Sequence, residues 1–421
     1  MRTRKYLIFI VTSLLTVLPS NIIAQNENKL LISENIYLDA AMELGDYLLK
    51  VQDKNTKSWS MVWNEEATDA IVSFYAIGSL NRLSKVANNS KYFDAAIESI
   101  TWWLENMFLG DKDKCKEWIW NFDNKIAPIK GWNEGEWKKC EGAFLSQYYP
   151  QKDGYSNVRV GSIHMRDGAT LGVELVKKLP NAEMIIKSMK KWYISDLDNK
   201  APFSGNSNHR GFLTMQSFTD RNNDGFLEIL EEYSLWGSRH QSALVNAQMI
   251  PDLIELGLIS QAEERAEWLL EIMQNKINGN LYEMFDMDKG IQSVGYKSNF
   301  TFANGQVAEG LLVAYEHTNK KKYLDAALLA LDWLIKTQAH IDNNVVYFTE
   351  DKVYRTFSAV PALCKAYMIT GRIDYLIYAK SAGDWIISQM KTPFDGFEDK
   401  NAWTVAEGLE AIVSLCEILN N

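Results

Sequence analysis

The chain has 421 residues, 47% of them hydrophobic and 23% charged, a composition that can bury a large core and excludes a disordered or fibrous protein. Its 54 acidic against 44 basic residues leave a formal net charge of −10. That balance argues against duplex nucleic acid as a partner, because phosphate binding needs a cationic face, and leaves room for a local basic cleft.

The first predicted element is an export signal. Arg2, Arg4 and Lys5 precede an apolar run from Tyr6 to Leu18, and Asn21-Ile-Ile-Ala-Gln25 offers a small residue before a cut, the pattern of a secretory signal peptide over residues 1–24. The apolar stretch, about 13 residues, falls well short of the roughly 20 that span a bilayer. No other segment is long and apolar enough, and no Cys at the cut suggests lipidation. The mature chain, 25–421, is therefore expected to be secreted or periplasmic, with no membrane span.

An internal repeat organises the rest of the chain. Tyr37-Leu-Asp-Ala-Ala41, Tyr92-Phe-Asp-Ala-Ala96 and Tyr323-Leu-Asp-Ala-Ala327 are near copies, with Tyr375-Leu-Ile-Tyr-Ala379 a weaker fourth. Ten residues after each Tyr stands an aromatic, Tyr47, Trp102, Trp333 or Trp385, and two further stretches carry the Trp without the Tyr, at Trp192 and Trp268. Each of the six is followed by a more apolar segment rich in small residues, roughly Thr68 to Leu83, Arg166 to Leu179, Arg239 to Leu256, Ala303 to His317, Phe357 to Thr370 and Thr404 to Leu419. The apolar spacing is helical, with Ala and Gly frequent enough for close helix approach. Six amphipathic outer helices and six buried inner ones predict an all-α fold. The arrangement that buries every inner helix without an exposed end is a closed ring, an (α/α)6 toroid. An open solenoid, the alternative, needs polar capping repeats that the sequence lacks.

The aromatic anchors are separated by 55, 90, 76, 65 and 52 residues, so two hairpins carry insertions, about 108–159 and 195–233, within a single domain. The first holds Cys115 and Cys140, a reasonable disulfide in an exported protein, with two free thiols as the alternative. Cys364 and Cys416 fall in apolar helical patterns and read as buried thiols. The second insertion holds Asp220-Arg-Asn-Asn-Asp-Gly-Phe-Leu-Glu-Ile-Leu-Glu231. Its oxygen ligands fall at the spacing of an EF-hand loop: Asp220, Asn222, Asp224, the carbonyl of Phe226, Glu228 and Glu231, with Gly225 at the sharp turn. One structural calcium ion is expected there, and no organic cofactor.

Polar and aromatic residues gather before the inner helices: Trp59, Trp63, Asn64, Glu65 and Asp69; His164, Arg166 and Asp167; Trp236, Arg239 and His240; Tyr296, Asn304 and Gln306; Tyr354 and Arg355; Asn401, Trp403 and Glu407. Some of these serve only as helix caps. Flat aromatic faces with Arg and His donors and a few carboxylates suit sugar rings, and Arg clasps a uronate carboxylate in a bidentate fork. The expected ligand is an oligo- or polysaccharide, with Trp63, Arg166, His209, Arg210, Trp236, Arg239, Tyr296, Asn304, Arg355 and Trp403 as its contacts.

Through its Tyr-[Leu/Phe]-Asp-Ala-Ala…Trp repeats and the segment Asn304-Gly-Gln-Val-Ala-Glu-Gly-Leu-Leu-Val-Ala-Tyr-Glu-His-Thr318, the mature chain resembles the six-hairpin glycosidase-like superfamily. Its members include unsaturated glucuronyl hydrolases, polysaccharide lyases and uronyl epimerases. The resemblance to the glucuronyl hydrolases implies that two Asp residues at the starts of early inner helices do acid/base work on an enol-ether double bond. Asp69 and Asp167 occupy comparable places, His164 and Arg166 stand beside Asp167 in the chain, and His240 is a further catalytic candidate. Asp69 also reads as a first-turn helix acid. A lyase or epimerase would instead use a His or Tyr base with Arg stabilising an enolate-like charge, from His164, His209, Arg210, Arg239, His240, Tyr233 and Tyr296. A third reading is a noncatalytic glycan-binding toroid. His317 and His340 read as ordinary helix-end residues.

Overall fold

The computed structural model describes residues 34–61, 64–117, 119–122, 125–145, 147–148, 173–194, 217–219, 222, 224–230, 240–282, 284–286, 290–292, 301–342, 345–348, 354–390 and 401–419. The expected signal peptide, residues 1–24, lies outside them.

The outer helices are Glu34–Val51, Ser90–Asn106, Ala182–Ile194, Ile259–Trp268, Lys321–Gln338 and Ile373–Gln389. Between them run the inner helices Ala70–Val86, residues 173–176, Ala243–Glu255, Thr301–Thr318, Ala359–Thr370 and Ala402–Leu419. The two sets differ as the sequence pattern requires. In the fifth outer helix only Tyr323, Ala326, Ala327, Ala330, Leu331 and Leu334 are buried, a single stripe at i, i+3 and i+4 spacing. The sixth inner helix is buried on nearly every side from Ala402 to Cys416. Close approach has a residue-level cause: a Cβ on Gly310 would sit 2.6 Å from the carbonyl oxygen of Ala247 on the neighbouring inner helix. The last inner helix packs on both the first inner and the first outer helix, and the ring closes as an (α/α)6 toroid.

Connections from inner to outer helices are two to five residues long, whereas those from outer to inner take at least 12. Four of the short turns hold a residue in the left-handed region, Asn88, Gly257, Asn319 and Gly371, the C-terminal cap that lets a helix end and the chain reverse at once. All the functional loops therefore emerge at one end of the ring.

The repeat tyrosines fasten neighbouring hairpins. Tyr92 donates to Asp46 Oδ1 at 2.8 Å, Tyr323 to Glu267 Oε1 at 2.7 Å and Tyr375 to Asp332 Oδ1 at 2.7 Å. Tyr37 donates to Asp384 Oδ1 at 2.5 Å and so joins the first hairpin to the last. Each acceptor immediately precedes the aromatic anchor of the previous hairpin, at Tyr47, Trp268, Trp333 and Trp385. A cation stands over every ring: Lys91, Lys322, Arg372 and Lys380, between 4.1 and 5.5 Å from the centroid. Buried Tyr hydroxyls need a partner, and a carboxylate acceptor is among the stronger ones.

The long connections also carry short strands, which the helical reading did not anticipate. Asn64–Asp69 pairs with Gln147–Tyr148, tying the first connection to the second. Gly131–Trp132 pairs in parallel with Phe226–Leu230, tying the second to the third. His240–Ser242 pairs with Met284–Asp286, tying the third to the fourth.

Candidate functional site

The end of the ring bearing the long connections is the candidate cleft, and four inner helices contribute to it at one level. Tyr75, Gln248, Gln306 and Glu407 are each the sixth residue of their helix. Tyr75 Oη accepts from Gln248 Nε2 at 2.8 Å and from Gln306 Nε2 at 3.0 Å, so three helices meet at one hydroxyl. That meeting requires the three helices to run in parallel and in register. About 7.5 Å of helix separates this layer from the helix starts above it. Glu407 is buried, and its Oε1 accepts from the indole Nε1 of half-buried Trp403 at 2.8 Å. The ring of Trp403 is thereby held by the carboxylate one helical turn below it.

The expected contacts divide into three groups. Trp403 is half-buried at the start of the sixth inner helix. Asn304 is 0% exposed, accepts from Leu281 N at 3.2 Å and donates to Ala330 O at 3.4 Å. It locks a connection against the fifth outer helix, where no substrate reaches it. Asp69 is 2% exposed, and its Oδ1 accepts from the backbone of Ile71 at 2.8 Å and of Val72 at 3.4 Å. Of its two readings, the structure displays the helix cap, in which the carboxylate satisfies otherwise orphaned N–H groups. Trp59 is likewise internal, its Nε1 donating to Leu48 O at 2.9 Å. The third group, Trp63, His164, Arg166, Asp167, His209, Arg210, Trp236, Arg239 and Tyr296, lies outside the described residues, as do the side chains of His240 and Arg355. The backbone of His240 opens a strand, paired with Asp286.

The calcium-type loop is the turn of a β-hairpin, with Thr219 opposite Glu228. Strands rather than the helices of an EF-hand flank it, because the following residues pair with the second connection: Lys130 N donates to Gly225 O at 2.7 Å and Asn133 N to Leu227 O at 2.9 Å. Gly225 has φ +91°, the left-handed turn its position demands. Glu228 Oε1 accepts from Asn133 Nδ2 at 2.6 Å, Asp224 Oδ1 from Phe226 N at 2.9 Å, and the Lys130 ammonium donates to Asp224 O. Asn222 Nδ2 lies 3.5 Å from Glu228 Oε1. Asp220 and Glu231 lie outside the described residues, and among the described residues no three His, Cys, Asp or Glu side chains converge as a metal site would require.

Cys115, Cys364, Cys416 and His340 are packed into the fold. Cys115 is a free, buried thiol whose Sγ lies 3.1 Å from Lys112 O, so the bridge to Cys140 is absent from this structure. Burial pushes its thiol up to about 11. Cys364 and Cys416 are also free and buried, and burial pushes the Cys416 thiol up to about 12. His340 sits in a strand rather than at a helix end, stacked 5.1 Å from Tyr347, which in turn stacks 5.2 Å from Trp385.

No protein-family profile matches the sequence, and no curated protein matches it. Solved structures do share its fold. A GH76 alpha-mannanase of Bacteroides thetaiotaomicron is 13% identical, covering 93% of this chain and 99% of its own, with a TM-score of 0.62. An inactive variant of the GH76 alpha-1,6-mannanase of Salegentibacter sp., with two consecutive Asp replaced by Ala and alpha-1,6-mannotetrose bound, is 10% identical over 91% of this chain and 99% of its own, with a TM-score of 0.56. D-mannose isomerase is 11% identical over 91% and 98%, with a TM-score of 0.59. At these identities the likeness is one of fold, the (α/α)6 toroid from end to end.

Proposed function

We propose that the protein is a carbohydrate-active enzyme, a glycoside hydrolase that works at the loop-bearing end of the ring on uronate-containing oligosaccharides. One observation carries the reading: every long connection opens at the same end of a toroid whose outline is shared with mannan hydrolases. There the sixth-residue layer presents a carboxylate, two carboxamides and a Tyr hydroxyl. A fold hosts many reactions, so the substrate class has to be argued from the site. The mannanase inactivated at two consecutive Asp points to an acid pair, and this chain contains no Asp-Asp dipeptide. A single acid among cations, His164-Met-Arg-Asp167, suits a substrate that brings its own carboxylate, with Arg166 binding the uronate and Asp167 moving the proton. Glu407 takes the place of Asp69 as the second carboxylate, since Asp69 is committed to its helix. In the same reading the Asp220–Glu231 loop holds a calcium ion that orders the third connection.

The test follows absorbance of the 4,5-unsaturated uronate with the purified protein, calcium and lyase-generated oligosaccharides, beside alpha-1,6-mannan assayed for new reducing ends. Loss of absorbance supports the proposal. New reducing ends from mannan alone replace the uronate with mannose, a rise in absorbance on intact polymer makes the protein a lyase, and silence on every substrate removes the enzyme reading.

A further inference from the structure

Beneath the sixth-residue layer the axis of the ring encloses a cavity of about 350 Å³, reached from the opposite end to the candidate cleft. Its wall comes from five inner helices and includes Arg82, Gln248, Gln306, Glu309 and Lys365. Arg82 lies twelve residues beyond Ala70, hence about 18 Å below the start of its helix. Met368, 61% exposed, marks the outer rim.

Most of the polar wall is already paired. Arg82 donates to both carboxylate oxygens of Glu417 at 3.0 and 2.7 Å, to Ser414 Oγ at 2.8 Å and to Glu410 Oε1 at 3.5 Å. Lys365 Nζ donates to Glu316 Oε2 at 2.9 Å. Two acceptors on one face of the fourth inner helix are not paired. Gln306 is 8% exposed; its Nε2 is used by Tyr75, and its Oε1 has no partner among the described residues. Glu309, one turn farther along, has Arg82, Lys365, Glu316 and Glu417 as charged neighbours and hydrogen-bonds to none of the described residues. Burial raises its carboxyl above the usual carboxylate range. Gln306 Oε1 is buried, where a missing donor is costly, Glu309 is half-buried, and residues three apart on a helix have Cβ atoms about 5–6 Å apart. Across the cavity wall, three carboxylates, Glu309, Glu410 and Glu417, outnumber two cations, Arg82 and Lys365.

Two neighbouring acceptors without donors, in a cavity with one excess negative charge, call for a compact ligand that is cationic and rich in N–H. We propose that the axial cavity is a binding site for a small primary ammonium compound, held by Gln306 Oε1 and the Glu309 carboxylate. The site shares Gln306 with the layer beneath the candidate cleft but opens at the other end of the ring.

Isothermal titration of the folded protein with ethylammonium chloride tests it, with glucose and sodium chloride as matched controls. The expected result is saturable binding of one ethylammonium per chain, weakened at least about tenfold in Glu309→Gln, the loss expected for one charge-assisted bond. Thermal melting of Glu309→Gln verifies that it is folded. Met368→Trp, a change at the exposed rim, narrows the opening and is expected to slow or abolish uptake while leaving the fold intact. Equal binding of glucose or sodium ion, ethylammonium binding unchanged in Glu309→Gln, or no binding to the folded protein, which would leave water as the only occupant, each overturns the proposal.

Discussion

The arc running from the fourth hairpin through the fifth and sixth to the first is held differently from the arc that passes through the second and third. In the first arc each hairpin grips its neighbour with a buried Tyr, a carboxylate before the aromatic anchor and a cation over the ring, at Tyr323, Tyr375 and Tyr37. In the second arc the device is missing from both partners. The third and fourth outer helices carry no Tyr at the repeat position, and Thr101 and Lys191 precede the anchors Trp102 and Trp192 where an acid would stand. These are also the two junctions with large insertions, and there strand pairing between connections joins the hairpins instead, Gly131–Trp132 with Phe226–Leu230 and His240–Ser242 with Met284–Asp286. Among the described residues, only the first and second hairpins have both devices. One arc is fastened through its outer wall and the other through its mouth, so the mouth of the second arc is free to vary in length and chemistry while the ring stays closed.

The two arcs can be told apart by separating activity from stability. The largest effect is expected from Asp167→Asn in the elaborated arc: a fall in kcat of about 10²–10⁴-fold with an unchanged melting curve, and retained turnover would remove Asp167 from the chemistry. Calcium comes next. A chelator is expected to remove about 2.7 kcal/mol when the free ion had been at about one hundred times its Kd, read as a lowered Tm with increased proteolysis near the Asp220–Glu231 loop; an unmoved Tm counts against the site. In the clasped arc, Tyr37→Phe is expected to cost about 1.5–3 kcal/mol in denaturant titration without altering KM, since it opens the junction between first and last hairpins. Tyr92→Phe is expected to cost less, because strand pairing backs up that junction, and equal losses from the two would contradict this division of labour.

The smallest effect is a pH dependence. Burial would raise the Glu267 carboxyl, but hydrogen bonds from Lys322 and Tyr323 outweigh it and hold the group below the usual carboxylate range. A carboxylate depressed in the folded state adds stability above its unfolded pKa and loses it as pH falls through the folded value. Tyr323 and Tyr375 are pushed up by burial and by their acid partners. Their contribution is complete below the unfolded value of about 10 and is lost as pH rises beyond it. Melting at pH 3, 7 and 11 is expected to show losses at both ends, and Tyr323→Phe is expected to flatten the acid limb.

Much of the ring is legible in the sequence because helix periodicity and turn chemistry are local. The stripe Tyr323, Ala326, Ala327, Ala330 and Leu331 is written within a dozen residues. The site is less legible. Asn304 reads as a sugar contact because a polar residue near a helix start is equally at home in solvent or in a buried bridge, and only its partners Leu281 and Ala330 decide which. Asp69 has two readings for the same reason. Gln306 gives little signal, since one orphaned oxygen is a property of its surroundings.

By itself the sequence determined the six hairpins, their outer and inner faces and the two places where the ring is elaborated, all consequences of spacing along one chain. The tertiary structure decided which acid each Tyr would find, as far away as Asp384 for Tyr37. It also decided which polar residues would be sealed in, and that an axial cavity with two unpaired acceptors would remain. Those outcomes depend on groups brought together from distant positions, where burial sets the cost of every missing partner.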